Sequence, residues 1–305
     1  MKYDIITIGG MNCDLFILGK KSEKKHNNHL DLCFHEGQKV LVDNIHLTTG
    51  GGALNSAIAF SRLGLSTASI SCLGKDENAQ TILKDLKKEN IEFLGKQKTG
   101  ITGCSIILTG KQDRTILVYK GMNDYLDIKD IQLSKINSLW LYCSTLHGKS
   151  FETGKKLVSY AKSKGIKVAA NLSQYTASLG INRLSSFLKN LDLLILNREE
   201  AELLSQKKDL SQISKTILSY LQGILIITDG ANNVHAFNNT KHIIHIIKNQ
   251  HPKNATGAGD AFASGVIYAL IKNKDLKTAL IFGTKEANSV LQKTGAHTGL
   301  LRKIS

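Results

Sequence analysis

Short β-rich apolar runs alternate along this chain with longer segments of helical spacing, and that alternation limits the fold more than any other feature. Tyr3–Ile8 reads as a strand ending at Gly9-Gly10, and Ala53–Leu63 has helical spacing that stops at Gly64, a C′ glycine. Thr67–Leu73 is strand-like and Glu77–Glu89 amphipathic. Leu139–Cys143, Lys167–Asn171, Leu191–Leu196 and Gly223–Thr228 are further strands, with helical patterns at Phe151–Lys164, Arg198–Leu204, Ala258–Ile271 and Leu276–Leu291. Strands spaced by helices of about 10–15 residues require a parallel sheet with both faces covered. The expected class is α/β, a doubly wound, mostly parallel central sheet with helices on both faces.

Two regions break the pattern. From about Phe16 to Thr49 a polar stretch is followed by the alternating segment Lys39–Thr48. Between Gly103 and Lys120, two alternating runs flank a turn at Gly110–Asp113, a hairpin pattern. These insertions, approximately 14–49 and 101–121, predict a small second sheet acting as a lid within one domain spanning 1–305.

The hydrophobic share, 42%, excludes wholesale disorder. The longest apolar stretches fall short of the ~20 residues of a membrane span. Five scattered cysteines without a CxxC spacing read as reduced thiols, and Asp4 interrupts any signal-like N-terminal run, so the expected location is cytoplasmic. The net charge of +15 invites an anionic partner. Its lysines are spread out, however, and the one dense run (Lys20, Lys21, Lys24, Lys25) has no interleaved aromatics. A solvated basic surface is favoured over nucleic-acid binding.

Three small-residue segments carry chemistry. Asn254-Ala255-Thr256-Gly257-Ala258-Gly259-Asp260 runs into an apolar helix, so the N–H groups of Gly257, Ala258 and Gly259 can close on an anion at a helix N-terminus. Asp260 beside that cradle suits a base that takes a proton from an attacking hydroxyl, although an ordinary first-turn Asp looks the same. Gly50-Gly51-Gly52-Ala53-Leu54-Asn55 opens another helix, its glycines permitting close approach of a ligand and Asn55 offering an amide. Asn12 and Asp14 follow the first strand, where α/β proteins bind ligands and where short polar side chains can chelate sugar hydroxyls; an Asx turn is the plainer reading. His242 and His245 point to opposite faces of a strand-like run, a poor arrangement for a metal pair.

Taken in order, these segments resemble the ribokinase-like (PfkB-type) carbohydrate and nucleoside kinases. Gly50–Gly64 is similar to that family's first signature and Asn254–Phe262 to its second, with Asn197-Arg198-Glu199-Glu200, Ile227–Gly230 and Ala287–Ala296 resembling its intervening and closing motifs. The resemblance implies transfer of the γ-phosphoryl group of ATP to a hydroxymethyl oxygen of a sugar or nucleoside. Asp260 matches the base, and Gly257, Ala258 and Gly259 the anion hole. Asn12, Asp14, Gly51, Gly52 and Asn55 match acceptor contacts. Asn197, Thr228, Gly230 and Asn288 match the nucleotide site, and Glu200 a Mg²⁺ ligand acting through water. It also implies a lid that sometimes mediates homodimers.

Departures accompany the likeness. Asn254 stands where many members have Asp, which makes activation by a monovalent cation doubtful. Gly52 replaces a Lys common in ribokinases, and Cys143-Ser144-Thr145 replaces an acidic sugar contact. A base-binding wall is sought in Phe16 or Tyr119, and a clamp for a phosphorylated acceptor in Lys120 or Arg114. A non-catalytic sugar or nucleotide sensor on the same fold is the competing reading.

Overall fold

The computed structural model describes residues 2–18, 23–26, 29–110, 114–230, 232–238, 240–247, 256–293 and 295–303. Its N-terminal elements are β1 (Tyr3–Ile8), β2 (Asn12–Leu18), β3 (Glu23–His26), β4 (His29–Leu32), β5 (Asn44–Gly50), α1 (Gly52–Arg62), β6 (Thr67–Ile70), β7 (Cys72–Leu73), α2 (Glu77–Lys88), β8 (Glu92–Phe93), β9 (Lys96–Gln97), β10 (Cys104–Thr109) and β11 (Arg114–Tyr119). There follow β12 (Ser138–Cys143), α3 (Gly148–Ser163), β13 (Lys167–Asn171), α4 (Gln174–Ala177), α5 (Ile181–Leu188), β14 (Leu193–Asn197), α6 (Arg198–Ser205), α7 (Leu210–Leu218), β15 (Ile224–Thr228), β16 (Val234–Phe237), β17 (His242–His245), α8 (Ala258–Ile271) and α9 (Leu276–Leu291).

Nine strands form the main sheet in the order β17-β16-β15-β14-β13-β12-β1-β6-β8. From β15 to β8 every pairing is parallel; β16 and β17 close one edge antiparallel. Period-two alternation divides the core between the faces. Ile6, Ile8, Leu141, Val168, Leu194 and Ile227 join a cluster with α3, α5, α6 and α7. Their neighbours Ile5, Tyr142, Ala169, Ile195 and Ile226 face α8 and α9. Both faces are therefore covered, as the apolar runs require.

Gly9 and Gly10 turn the chain out of β1, and β2 crosses into a second sheet of order β11-β10-β2-β5. Here β2 pairs parallel with β10 and antiparallel with β5, while β10 and β11 form the hairpin. This small sheet stands over the carboxyl ends of the main strands. Asn12 and Asp14 follow β1 as expected, but within β2 and not in the alternative Asx turn, because the strand resumes soon after the glycines. Tyr119 is 51% exposed, and Phe16 is buried at an alternate position of β2 to Asp14, on the same face. Among the described residues no helix is long and apolar enough to cross a membrane.

Candidate active site

The first turn of α8 carries Asp260, the carboxylate that the sequence suggests as a base. Gly257 caps the helix at φ +81°, a conformation that side-chain-bearing residues rarely adopt, and a Cβ there would meet the Ala296 carbonyl at 2.5 Å. Among the described residues no side chain caps this end, and the first helical bond runs from the Ala261 N–H to the Gly257 carbonyl. The N–H groups of Ala258, Gly259 and Asp260 consequently point out of the helix without helical partners. A Cβ at Gly259 would meet none of the described residues within 4 Å.

Asn55 Nδ2, on α1, donates to Asp260 Oδ2 at 2.8 Å. The amide predicted as an acceptor contact therefore holds the carboxylate instead. Burial pushes the Asp260 pKa up, and the Asn55 hydrogen bond pulls it partly back. Asp14, buried in β2, is pushed the same way by burial and by the Asp260 charge, with a Ser105 hydrogen bond opposing.

On the acceptor side a pocket is lined by Gly10, Asn12, Gly51, Gly52, Lys120, Asn123, Asp124, Thr145, Leu146 and His147. Three predicted contacts, Asn12, Gly51 and Gly52, are in its wall. A Cβ at Gly52 would lie 3.2 Å from Asp260 Oδ1 and overlap Ser144 Oγ, which joins the pocket to the carboxylate and explains why no lysine stands at 52. Asn123 Nδ2 donates to Asn12 Oδ1 at 2.7 Å and to the Met11 carbonyl, while Asn123 Oδ1 accepts from the Met11 N–H. Of the two lid cations, Lys120 reaches the pocket; Arg114 begins β11 at its far end. Asn123, Asp124 and His147 belong to none of the motifs. They meet across more than twenty residues of sequence, and only the fold joins them.

The donor side lies at the carboxyl ends of β14 and β15, where Asn197 and Thr228 pair in register. Asn197 Oδ1 accepts from the Glu200 N–H at 2.8 Å, and Glu200 Oε2 from the Asn197 N–H at 2.9 Å, a capping box that starts α6. Burial raises the Glu200 pKa to about 7; the Asn197 bond opposes this, and the Glu199 and Asp260 charges add to it. Gly230 turns the chain after β15 at φ +55°, and Asn288 is half-buried on α9. Asn254 lies outside the described residues.

Comparison with known proteins agrees with this arrangement. The pfkB family of carbohydrate kinases matches residues 15–303. The chain belongs to that family. It is 27% identical to a ribokinase of Haemophilus influenzae over 275 residues, covering 87% of this chain and 88% of the relative. It is 26% identical to a nucleoside kinase of Methanocaldococcus jannaschii, covering 82% of each. The structure of an Arabidopsis thaliana ribokinase complexed with ribose and ATP superposes with a TM-score of 0.81 over 99% of this chain and 96% of that one, at 18% identity. This pfkB-family protein is thus a sugar or nucleoside kinase, a phosphotransferase with an alcohol acceptor. Such kinases use ATP with a divalent metal, and the residues present fit that pair. Outward amides donate to phosphate oxygens. The carboxyl of Glu200, raised by burial and to a lesser degree by the Asp260 charge, is a hard oxygen donor at which a cation would be favourable.

Proposed function

We propose that this pfkB-family protein transfers the γ-phosphoryl group of ATP to a hydroxymethyl oxygen of a sugar, with Asp260 as the base. One observation carries the reading: Asp260 stands at once beside the unpartnered amides of α8 and against the Gly52 wall of the acceptor pocket. A hydroxyl placed over Gly52 gives its proton to the Asp260 carboxylate as its oxygen attacks. The amides of Ala258 and Gly259 take up charge growing on the phosphoryl oxygens. Asn197, Thr228 and Gly230 border the nucleotide, with Asn288 on its α9 side. Glu200 holds Mg²⁺ through water; the bound metal supplies charge neutralisation on the phosphates. Asn12, Asp14, Gly51 and the lid hold the acceptor and exclude water.

A nucleoside acceptor is the second reading, favoured by the His147 and Tyr175 rings, 5.0 Å apart at the pocket's edge, and by the nucleoside-kinase relative. A homodimer through the lid is supported by the exposed Ile45, Leu47, Leu117 and Val118 on its edge strands.

The test measures ADP release with sugars and nucleosides for the wild type and Asp260→Asn. The variant should bind ATP normally and lose turnover by about two to four orders of magnitude. A variant with near-normal turnover refutes the assigned base.

A further inference from the structure

The acceptor pocket has a charged end that the transfer chemistry does not use. Lys120 follows β11 directly, and its half-buried side chain lines the pocket together with Asn12, Gly51 and Gly52. Its ammonium makes no hydrogen bond or ion pair among the described residues. Burial pushes its pKa down, and the Asp124 charge only partly offsets this. Asp124 shares the pocket without closing an ion pair on Lys120, and burial raises its own carboxyl. His147 completes this end. It is pushed down to about 4 by burial and by the Lys120 charge, so at neutral pH its ring is an uncharged hydrogen-bonding group. A desolvated ammonium without a partner is costly, and a bound anion is what repays it.

We infer that the pocket selects an acceptor bearing an anionic group, a carboxylate or a phosphate, which Lys120 Nζ binds directly with the His147 ring beside it. The anionic group then sits at the Lys120–His147 end and the hydroxymethyl group at the Gly52–Asp260 end. Asp124, the one carboxylate among the pocket's lining residues, accepts from a hydroxyl next to the anion and disfavours a second negative charge. This deepens the proposed kinase reading and rests on it for the position of the reacting hydroxyl.

Binding and turnover are measured separately so that the two can fail independently. Titration calorimetry in the presence of Mg·ADP compares ribose and fructose (neutral) with gluconate (carboxylate) and with ribose 1-phosphate and fructose 6-phosphate (phosphate). All five keep a free hydroxymethyl group. At least one anionic probe should bind about 10-fold or more tighter than the neutral sugars, and the better of the two anionic arms identifies the group. Lys120→Met should bring that ratio close to one, and Lys120→Arg should restore most of it, with unchanged melting temperatures showing that both variants fold. Equal binding of neutral and anionic probes, or a ratio that survives Lys120→Met, overturns the inference whatever the turnover. Preferential anion binding with no turnover of any probe upholds the anion site and counts against the kinase reading.

Discussion

Asn55 and Asp260, 205 residues apart in sequence, are joined by one hydrogen bond of 2.8 Å from the amide to the carboxylate. That bond lowers the Asp260 pKa against burial. Asn55→Leu keeps the volume and removes the donor, so the Asp260 pKa rises further. Because the proposed base would act as the carboxylate, the acid limb of the rate profile should move to higher pH. The turnover number should fall roughly 10- to 100-fold at neutral pH. Asn55 Oδ1 is buried without a partner, so its loss offsets part of the structural cost and the melting temperature should change little. A pH–rate profile identical to that of the wild type would show that the bond does not tune the base.

Burial raises the Glu200 pKa to about 7. Above that pH it is the carboxylate proposed for the metal; below it the charge is gone. Apparent affinity for Mg·ATP should therefore weaken as pH falls from 8 to 6. Glu200→Gln keeps the capping box, since a glutamine oxygen still accepts from the Asn197 N–H. The variant should show the weaker affinity throughout, without the pH response. Its stability at pH 8 should not drop, because a raised carboxyl destabilises the fold when ionised. Retention of the wild-type pH response would assign that titration to another group.

Two glycines at the same anion cradle should respond in opposite ways. Gly257→Ala forces a side chain onto a left-handed backbone and into the Ala296 carbonyl, costing about 1–3 kcal/mol of stability as well as activity. A Cβ at Gly259 meets none of the described residues within 4 Å, so Gly259→Ala should melt like the wild type; if the ATP phosphates seat against this turn, its methyl group should raise KM for ATP about 10-fold or more. Thermal melts and ATP kinetics on the pair separate folding from phosphate access. Equal loss of stability in both would mean that the cradle is closed.

The main sheet was legible because fully buried parallel strands must be apolar runs, and Tyr3–Ile8, Leu193–Leu196 and Ile224–Thr228 are just that. The anion cradle was legible because small residues at a helix start have few other uses. Asn12 and Asp14 were placed beyond the first strand, where they lie, but the glycines before them hid that the chain resumes there as a strand of another sheet. Helices α5 and α7, eight and nine residues long, lack a motif to mark them, whereas the equally short α6 starts in Asn197-Arg198-Glu199-Glu200. The pocket wall was hidden for a different reason. Asn123 is recognisable only once its amide is seen tying β2 to the turn after β11, and His147 only once its ring is seen near Lys120.

Glu286, fully buried on α9, gives a stability signal independent of catalysis. Its Oε1 accepts from the Leu301 N–H at 3.1 Å, fastening the C-terminal segment, while Oε2 has no partner. Burial raises its pKa from 4.5 to about 7, with the Leu301 bond and the Arg62 charge opposing. The folded state thus holds this proton more tightly than the unfolded chain does. Its contribution is full below pH 4.5, is lost progressively up to about pH 7, and stays lost above. That separation corresponds to about 3 kcal/mol at most. Glu286→Gln keeps an acceptor for Leu301 and removes the titration. In urea unfolding the variant should therefore gain roughly 1–3 kcal/mol over the wild type at pH 8 and little at pH 5. An equal difference between the two proteins at both pH values would show that Glu286 is not the group whose ionisation strains this end of the fold.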